Sequence, residues 1–184
     1  MNKEEALQFL KEKVKTPNLI KHCLAAGAAM KELARYFHKD EKKWELTGLL
    51  HDIDYEETKD KPEKHSLLGS QWLEEKGLDK EITEAIKTHN PLHHLPPQSK
   101  MAKALFCADP LTGLIVASTL VLPSRKIKDL SLKSILHHFK DKSFARGASR
   151  ENISQCQPLL GLSLEEFVAI VLKGMQSIAD DLGL

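Results

Sequence analysis

Apolar residues recur along most of the chain at the three- and four-residue spacing of an α-helix, while alternating strand-like runs are nearly absent. The spacing predicts a first helix over about 3–14. A second is predicted from the Thr16-Pro17 pair to about residue 37, because proline is favoured in the first turn of a helix. The fold class predicted from these periods is all-α, a helical bundle.

Capping and breaking residues divide the rest of the chain into further helices. The C-terminal part predicts two or three helices, the clearest from Ser163 to Asp181. The middle predicts a third helix capped by Asp40, a fourth from Pro62 to just before Gly77, a fifth from Asp79 to His89 and a long sixth from Ser99 that contains Asp109-Pro110.

Several histidines and aspartates fall on helix faces that should be buried. His89, for example, shares a stripe with Ile82 and Ile86, and Gly48 one turn before His51 suggests space for a ligand. Several buried imidazoles and carboxylates together need compensation that a divalent cation provides. The pattern therefore predicts a metal site, and the residues concerned are His22, His51, Asp52, His65, His89 and Asp109.

The order of these residues resembles a known family. A helical histidine, His22, is followed by "LLHDIDY", "EKHSLLGSQWL", "AIKTHN" and "KALFCADPLTGL". This order resembles the HD-domain metal-dependent phosphohydrolases over about 15–117. The resemblance implies an HD-domain-like helical bundle with the metal site in an interior cleft. We expect one domain, 1–184, in which 118–184 adds C-terminal helices.

The resemblance also implies a ligand set. His65 and His89 match positions that two-metal members use, with Asp52 as the candidate bridge, so one ion is expected and a second is possible. Mixed N/O donors suit Mn²⁺, Fe²⁺, Co²⁺, Ni²⁺ or Zn²⁺, and Mg²⁺ less comfortably. The four residues expected to hold the first ion are His22, His51, Asp52 and Asp109.

The function implied is hydrolysis of a nucleotide or other small phosphate ester by attack of metal-bound water. Asp52 and Asp54 are the candidate catalytic residues, with Asp54 orienting the water or moving a proton; Asp54 could instead cap the next turn. Many family members read His-Asp-Ile-Gly-Lys, whereas Tyr55 stands here at the lysine position. Lys64 is a candidate for the missing charge, and Arg146 and Arg150 are candidates for binding phosphate.

Net charge, apolar runs and cysteine spacing indicate which classes of partner the protein can have. The formal net charge is +1 and no nucleic-acid motif is visible, so we expect a small phosphorylated substrate, most simply a nucleotide, and no nucleic acid duplex. No uninterrupted apolar run reaches membrane length, so no membrane partner is expected. Three cysteines without metal or redox spacing favour buried thiols in a reducing cytoplasm. The oligomeric state cannot be read from these patterns.

Two other functions stay open at this point. An HD-fold di-iron oxygenase would also use histidines and carboxylates, and a non-catalytic nucleotide-binding module would keep the metal for structure alone. The adjacent pairs His93-His94 and His137-His138 are interpreted as surface or packing residues, because they lack interlocking ligands. A purely structural bundle leaves the coincidence of the six site residues unexplained.

Overall fold

The computed structural model describes residues 1–184 as twelve α-helices with no strand. The all-α prediction is therefore confirmed. In chain order the helices are α1 (Lys3–Lys13), α2 (Pro17–Tyr36), α3 (Glu41–Leu50), α4 (Tyr55–Thr58), α5 (Leu67–Glu75), α6 (Lys80–His89), α7 (Lys100–Leu120), α8 (Leu132–Lys140), α9 (Arg150–Ser154), α10 (Cys156–Leu160), α11 (Leu164–Gln176) and α12 (Ala179–Leu182).

Local capping explains where the main helices begin. The side chain of Asp40 accepts a hydrogen bond from the backbone N–H of Lys43 at the start of α3. Ser99 does the same for Ala102 at the start of α7, and Pro17 occupies the first turn of α2. These bonds satisfy N–H groups that have no partner within the helix.

The fourth predicted helix begins later than the sequence suggested. It starts at Leu67 instead of Pro62, because Ser66 adopts a left-handed backbone with φ of 71° that no regular helix contains. The buried Ser66 hydroxyl donates to the carbonyl of Lys87, which holds this conformation against α6. The preceding residues form turns and the short α4.

Helices α2 and α7 lie at the centre of the bundle. Helix α2 packs against α3, α7 and α11, and α7 packs against α6, α8 and α9. One cluster of buried apolar side chains extends from Ala6 to Leu182 and includes all three cysteines. Helix α7 is long and apolar enough to cross a membrane by composition, but 61% of that stretch is buried within the protein. Its apolar character fits a core helix.

Gly48 serves helix packing and not ligand space. A Cβ at Gly48 would collide with the backbone of Ala26 on α2, so the glycine allows α2 and α3 to approach closely. The expectation that Gly48 leaves room for a ligand was therefore wrong. The close contact nevertheless helps the site, because it fixes the end of α3 relative to α2.

Candidate metal centre

Six histidines and aspartates from separate parts of the chain meet inside the bundle. Helix α2 supplies His22 and the end of α3 supplies His51 and Asp52. The remaining three come from the turn before α5, the last residue of α6 and the middle of α7, and they are His65, His89 and Asp109. All six residues of the predicted metal set are thus brought together.

One part of the cluster surrounds the carboxylate of Asp109. Its Oδ1 lies 3.0 Å from Nε2 of His22 and 3.4 Å from Nε2 of His51. The two Nε2 atoms are 3.2 Å apart. These three residues could share one cation, because their ligand atoms all lie within 4.8 Å of one another.

The carboxylate of Asp52 joins this group to a second one. Its Oδ2 lies 3.5 Å from Nε2 of His22. Its Oδ1 lies 3.3 Å from Nε2 of His65, 3.4 Å from Nε2 of His89 and 3.5 Å from Nε2 of His51. Asp52 thus contacts histidines of both groups and, with His51 and His89, forms a second set whose ligand atoms lie within 4.8 Å of one another, so it could link two ions.

The opposite ring nitrogens fix how His51 and His89 face the cluster. Nδ1 of His51 lies 2.8 Å from the carbonyl oxygen of Gly48, and Nδ1 of His89 lies 2.6 Å from that of Ile86. A carbonyl only accepts hydrogen bonds, so each Nδ1 must carry the proton. In the neutral rings, each Nε2 therefore points a lone pair into the site.

A threonine fixes His22 in the same way. The hydroxyl of Thr112 donates to the backbone carbonyl of Asp109 at 2.8 Å and lies 3.2 Å from Nδ1 of His22. Since the hydroxyl has one proton and has already donated it, it accepts from Nδ1. Thr112 was not predicted as a site residue, although its position one turn after Asp109 could have suggested this role.

Asp54 acts on His65 and not on the cavity. Its carboxylate is fully buried, Oδ1 accepts from Nδ1 of His65 at 2.9 Å and Oδ2 accepts from the backbone N–H of Gly69 at 2.7 Å. Asp54 therefore does not line the cavity above the cluster, and its side chain does not cap α4; its predicted part in moving a proton stays a prediction. It is the type of outer carboxylate that orients a metal-binding histidine.

Electrostatics favour a cation among these groups. Burial alone would lower the pKa of His51, but Asp52 and Asp109 raise it to about 9. Burial would likewise lower the pKa of His65, but Asp52 and Asp54 raise it to about 10. Without a metal, protons supply the positive charge that the buried carboxylates need.

The two carboxyl groups show the complementary effect. Burial raises the pKa of Asp52 and of Asp109, but the neighbouring histidines outweigh burial and lower both well below the usual range. Four imidazole Nε2 atoms and two carboxylates form a donor set that fits a divalent transition metal. The residues present therefore fit the metal that the sequence predicts.

Comparison with known proteins places this site in a family. The family model described as "HD domain" matches residues 19–114, slightly more than half of the chain, and includes all six site residues. The chain belongs to the HD domain family. Its sequence is 28% identical over 137 residues to Ribonuclease Y of Oleidesulfovibrio alaskensis, which covers 73% of this chain but only 26% of the relative. No solved structure matches.

Membership of the HD domain family supports a metal-dependent phosphohydrolase at the level of the superfamily. The chain spans about a quarter of the length of Ribonuclease Y, so the match concerns one part of that protein. In this chain the His-Asp pair is followed by Ile53-Asp54-Tyr55, whereas many family members have Ile-Gly-Lys there. Asp54 is buried behind His65, and Tyr55 lines a cavity above the cluster.

A solvent-facing cavity of about 540 Å³ opens over the six histidines and aspartates of the site, and we refer to it as the polar cavity. Helices α2 and α7 and the segment between α8 and α9 surround it. The ring of Tyr55 packs edge-on against His65 at 5.4 Å between centroids. The polar side chains that line it are Asn18, His22, Asp52, Tyr55, Asp109 and Arg146.

Arg146 is the phosphate-binding candidate that the structure brings to the site. Its side chain is exposed, lines the polar cavity and forms no ion pair. Lys64, by contrast, is exposed outside the lining of this cavity and makes no side-chain hydrogen bond. Many family members have a lysine where this chain has Tyr55. The positively charged side chain that lines the cavity here is Arg146, in the segment after α8, and not Lys64.

Arg150 does not face the cavity, so the prediction that it binds substrate was wrong. Its guanidinium donates only to backbone carbonyls, which belong to the last turn of α8 and to the segment between α8 and α9. Ala145, the residue before Arg146, has a left-handed φ of 45° within this segment. Arg150 therefore holds the loop that presents Arg146, through the carbonyls of His138, Phe139, Asp141, Phe144, Ala145 and Ala148.

Proposed function

We propose that this protein is a metal-dependent phosphohydrolase that acts on a nucleotide or another small phosphate ester. The observation that carries the proposal is the convergence of four oriented Nε2 atoms and two carboxylates beneath a cavity that contains an unpaired arginine. A divalent ion bound there would neutralise phosphoryl charge and lower the pKa of a water for attack on phosphorus.

The protein's own residues divide the remaining work. His22, His51 and Asp109 would hold one ion, and Asp52 would link it to a second held with His65 and His89. Buried hydrogen bonds through Nδ1 keep these ligands oriented before the ion binds, which lowers the cost of assembling the site.

We assign substrate binding to residues that line the polar cavity but do not belong to the metal cluster. The guanidinium of Arg146 can donate two parallel hydrogen bonds to phosphoryl oxygens and so hold the ester over the cluster. The phenol of Tyr55 stands at the lysine position of the family and can donate one more. Arg150 keeps the loop of Arg146 in place.

RNA is a second candidate substrate, because the relative is named a ribonuclease. The net charge of +1 offers no extended basic surface for a polynucleotide, so a small ester is favoured. A short RNA oligonucleotide nevertheless belongs in the substrate panel.

The test is hydrolysis of a panel of nucleotides, aryl phosphates, bis-aryl phosphodiesters and a short RNA by protein purified without a metal-affinity tag. The assay is run with Mn²⁺, Co²⁺, Ni²⁺, Fe²⁺ or Mg²⁺, and phosphate or nucleotide release is measured. We expect metal-dependent turnover of at least one small ester that excess chelator abolishes. Turnover of none by the metal-loaded protein would contradict the proposal.

The same preparation separates the two other functions. Tight nucleotide binding without turnover would favour a binding module. Oxygen consumption by the iron-loaded protein, with an organic substrate and no phosphate release, would favour an HD-fold oxygenase. Dependence on oxygen is decisive because hydrolysis proceeds equally well without air.

A further inference from the structure

A second cavity of about 340 Å³ adjoins the polar cavity on the far side of His22, and we refer to it as the apolar cavity. Both cavities are lined by Asn18, His22 and Gly113, so they share a boundary. The volume lies at the low end of the range of about 300–1,000 Å³ that is usual for small-molecule sites.

Gly113 keeps this boundary open. A Cβ built at Gly113 meets no atom within 4 Å, so the helix surface there faces empty space between the two cavities. Packing does not require glycine here, and glycine costs helix stability relative to alanine. A larger side chain at position 113 could therefore be accommodated without disturbing the packing of α7, but it would fill the space between the two cavities.

The apolar cavity differs from its neighbour in chemistry. On α7, Val116 and Leu120 follow Gly113 by three and seven residues and therefore lie on its face. Leu182 and Leu184 form the other wall, and Lys21 stands at the rim. Leu120 is 50% exposed, so an apolar group bound in the cavity would remove part of its surface from water.

We propose that the apolar cavity binds the organic part of the substrate, an aromatic or similarly apolar group, while its phosphate lies in the polar cavity beside Arg146. The inference rests on the proposed function, because it assigns the two ends of one phosphate ester. Hydrolysis adds water across the P–O ester bond: the water oxygen joins phosphorus, the ester oxygen leaves with the organic group, and that oxygen gains a proton.

The arrangement sets the substrate class. Esters with a flat apolar group should be preferred over esters whose organic part is too small to pass His22. A donor at the rim, Lys21, would favour a group that carries a hydrogen-bond acceptor at its outer end. A nucleoside meets both conditions, and so does a substituted aryl group.

The experiment compares wild type with Gly113→Leu, which fills the passage, and Val116→Phe, which fills the apolar cavity itself. Ala117→Leu is the matched control, because the new leucine adds side-chain volume on the same helix at a position that lines neither cavity. The activity readout is the ratio of kcat/KM for 1-naphthyl phosphate to that for acetyl phosphate. We expect this ratio to fall at least tenfold in both test variants and to be unchanged in the control.

Binding of 1-naphthol, measured by calorimetry on the metal-free protein, gives an answer that does not require turnover. We expect binding to wild type and to Ala117→Leu, and at least tenfold weaker binding to the two test variants. Equal binding to all four proteins, or none to wild type, would overturn the inference even if esters are hydrolysed. The predicted binding without any hydrolysis would instead contradict the proposed function and leave the cavity as a site for an apolar ligand.

Discussion

The family-matched helices, 19–114, and the C-terminal third, 118–184, contribute to the same site by different means. The first region supplies every residue of the metal cluster, from helices, helix ends and the turn before α5, and each is held by a hydrogen bond or an ion pair within the cluster or its surroundings. The second supplies Arg146 from a loop and the apolar wall at Leu182–Leu184.

The two regions should therefore control different parts of the proposed function. The cluster is buried and oriented, so changes there should remove chemistry altogether. The loop and the apolar wall lie outside the cluster, so changes there should alter the affinity for substrate and leave the metal in place. Substitutions in the two regions can therefore be separated by measuring metal content together with kinetics.

The largest effect is expected for Asp52→Asn. Asp52 contacts four imidazoles, and its removal would deprive the cluster of the oxygen that links its halves. We expect kcat/KM for the best ester to fall on the order of 10³-fold or more, together with loss of metal. Elemental analysis and the ester assay check this, with the exposed Asp60→Asn as the control. Normal metal content and activity in Asp52→Asn would contradict the assignment.

A smaller effect with intact metal is expected for Arg146→Ala. Removing the only guanidinium that lines the polar cavity should lower kcat/KM by about 100-fold, the scale seen when one charged or hydrogen-bonding contact to a transition state is lost. Lys142→Ala removes the same charge from the same loop, outside the cavity, and should change little. Equal losses in both variants would point to a general charge effect and not to phosphate binding.

Asp54→Asn tests the outer contact of the cluster. The amide cannot offer two charged acceptors to His65 and Gly69, so metal affinity should fall by about 10- to 100-fold. Titration with Co²⁺ followed by its absorption spectrum would show whether the loss concerns the ion near His65. If metal affinity is normal but kcat falls, Asp54 acts directly on the reaction, as the sequence suggested.

Arg150→Lys should act through Arg146. A lysine has three donors in place of the five of a guanidinium and cannot reach the same carbonyls, so the loop would lose part of its support. We expect kcat/KM to fall by about tenfold, with metal content normal. In the Arg146→Ala background the same change should add almost nothing. Additive losses would show that Arg150 affects activity independently of Arg146.

The smallest effect concerns an ion-pair cluster that joins the two regions. Glu32 on α2 pairs with Lys173 on α11 and with Arg35. Burial alone would raise the pKa of Glu32, but these cations lower it below 4.5. The charge therefore stabilises the fold above that pH and ceases to do so as the pH falls through the lowered pKa.

Replacement by glutamine should remove that dependence. Glu32→Gln should be less stable than wild type at neutral pH, and the difference should vanish as the pH falls through the lowered pKa of Glu32. Thermal unfolding at several pH values measures this, and added salt should reduce the difference. A difference that persists at low pH would mean that packing, and not charge, accounts for it.

Helical spacing places His22, His89 and Asp109 on inward helix faces, the resemblance to the HD family completed the predicted set, and the structure brings all six residues together. The sequence predicted the main helices from the same spacing, together with their caps. It misplaced the start of α5, because the left-handed backbone at Ser66 depends on a contact with Lys87, which no local pattern reveals.

Residues outside regular helices were harder to assign. Arg146 and Arg150 are four residues apart in sequence and look equivalent there, yet one faces the cavity and the other binds carbonyls. Only the path of the loop distinguishes them. The contacts of Gly48 and Asp54 were not predicted either, because their partners, Ala26 and Gly69, lie on other helices.

Elemental analysis of tag-free protein tests most directly whether the cluster binds a divalent metal. The protein is measured as purified and again after loading with Mn²⁺, Co²⁺ or Ni²⁺ and removal of excess ion. We expect one or two ions per chain in wild type and none in Asp52→Asn. A wild-type protein that retains no ion after any loading would contradict this expectation.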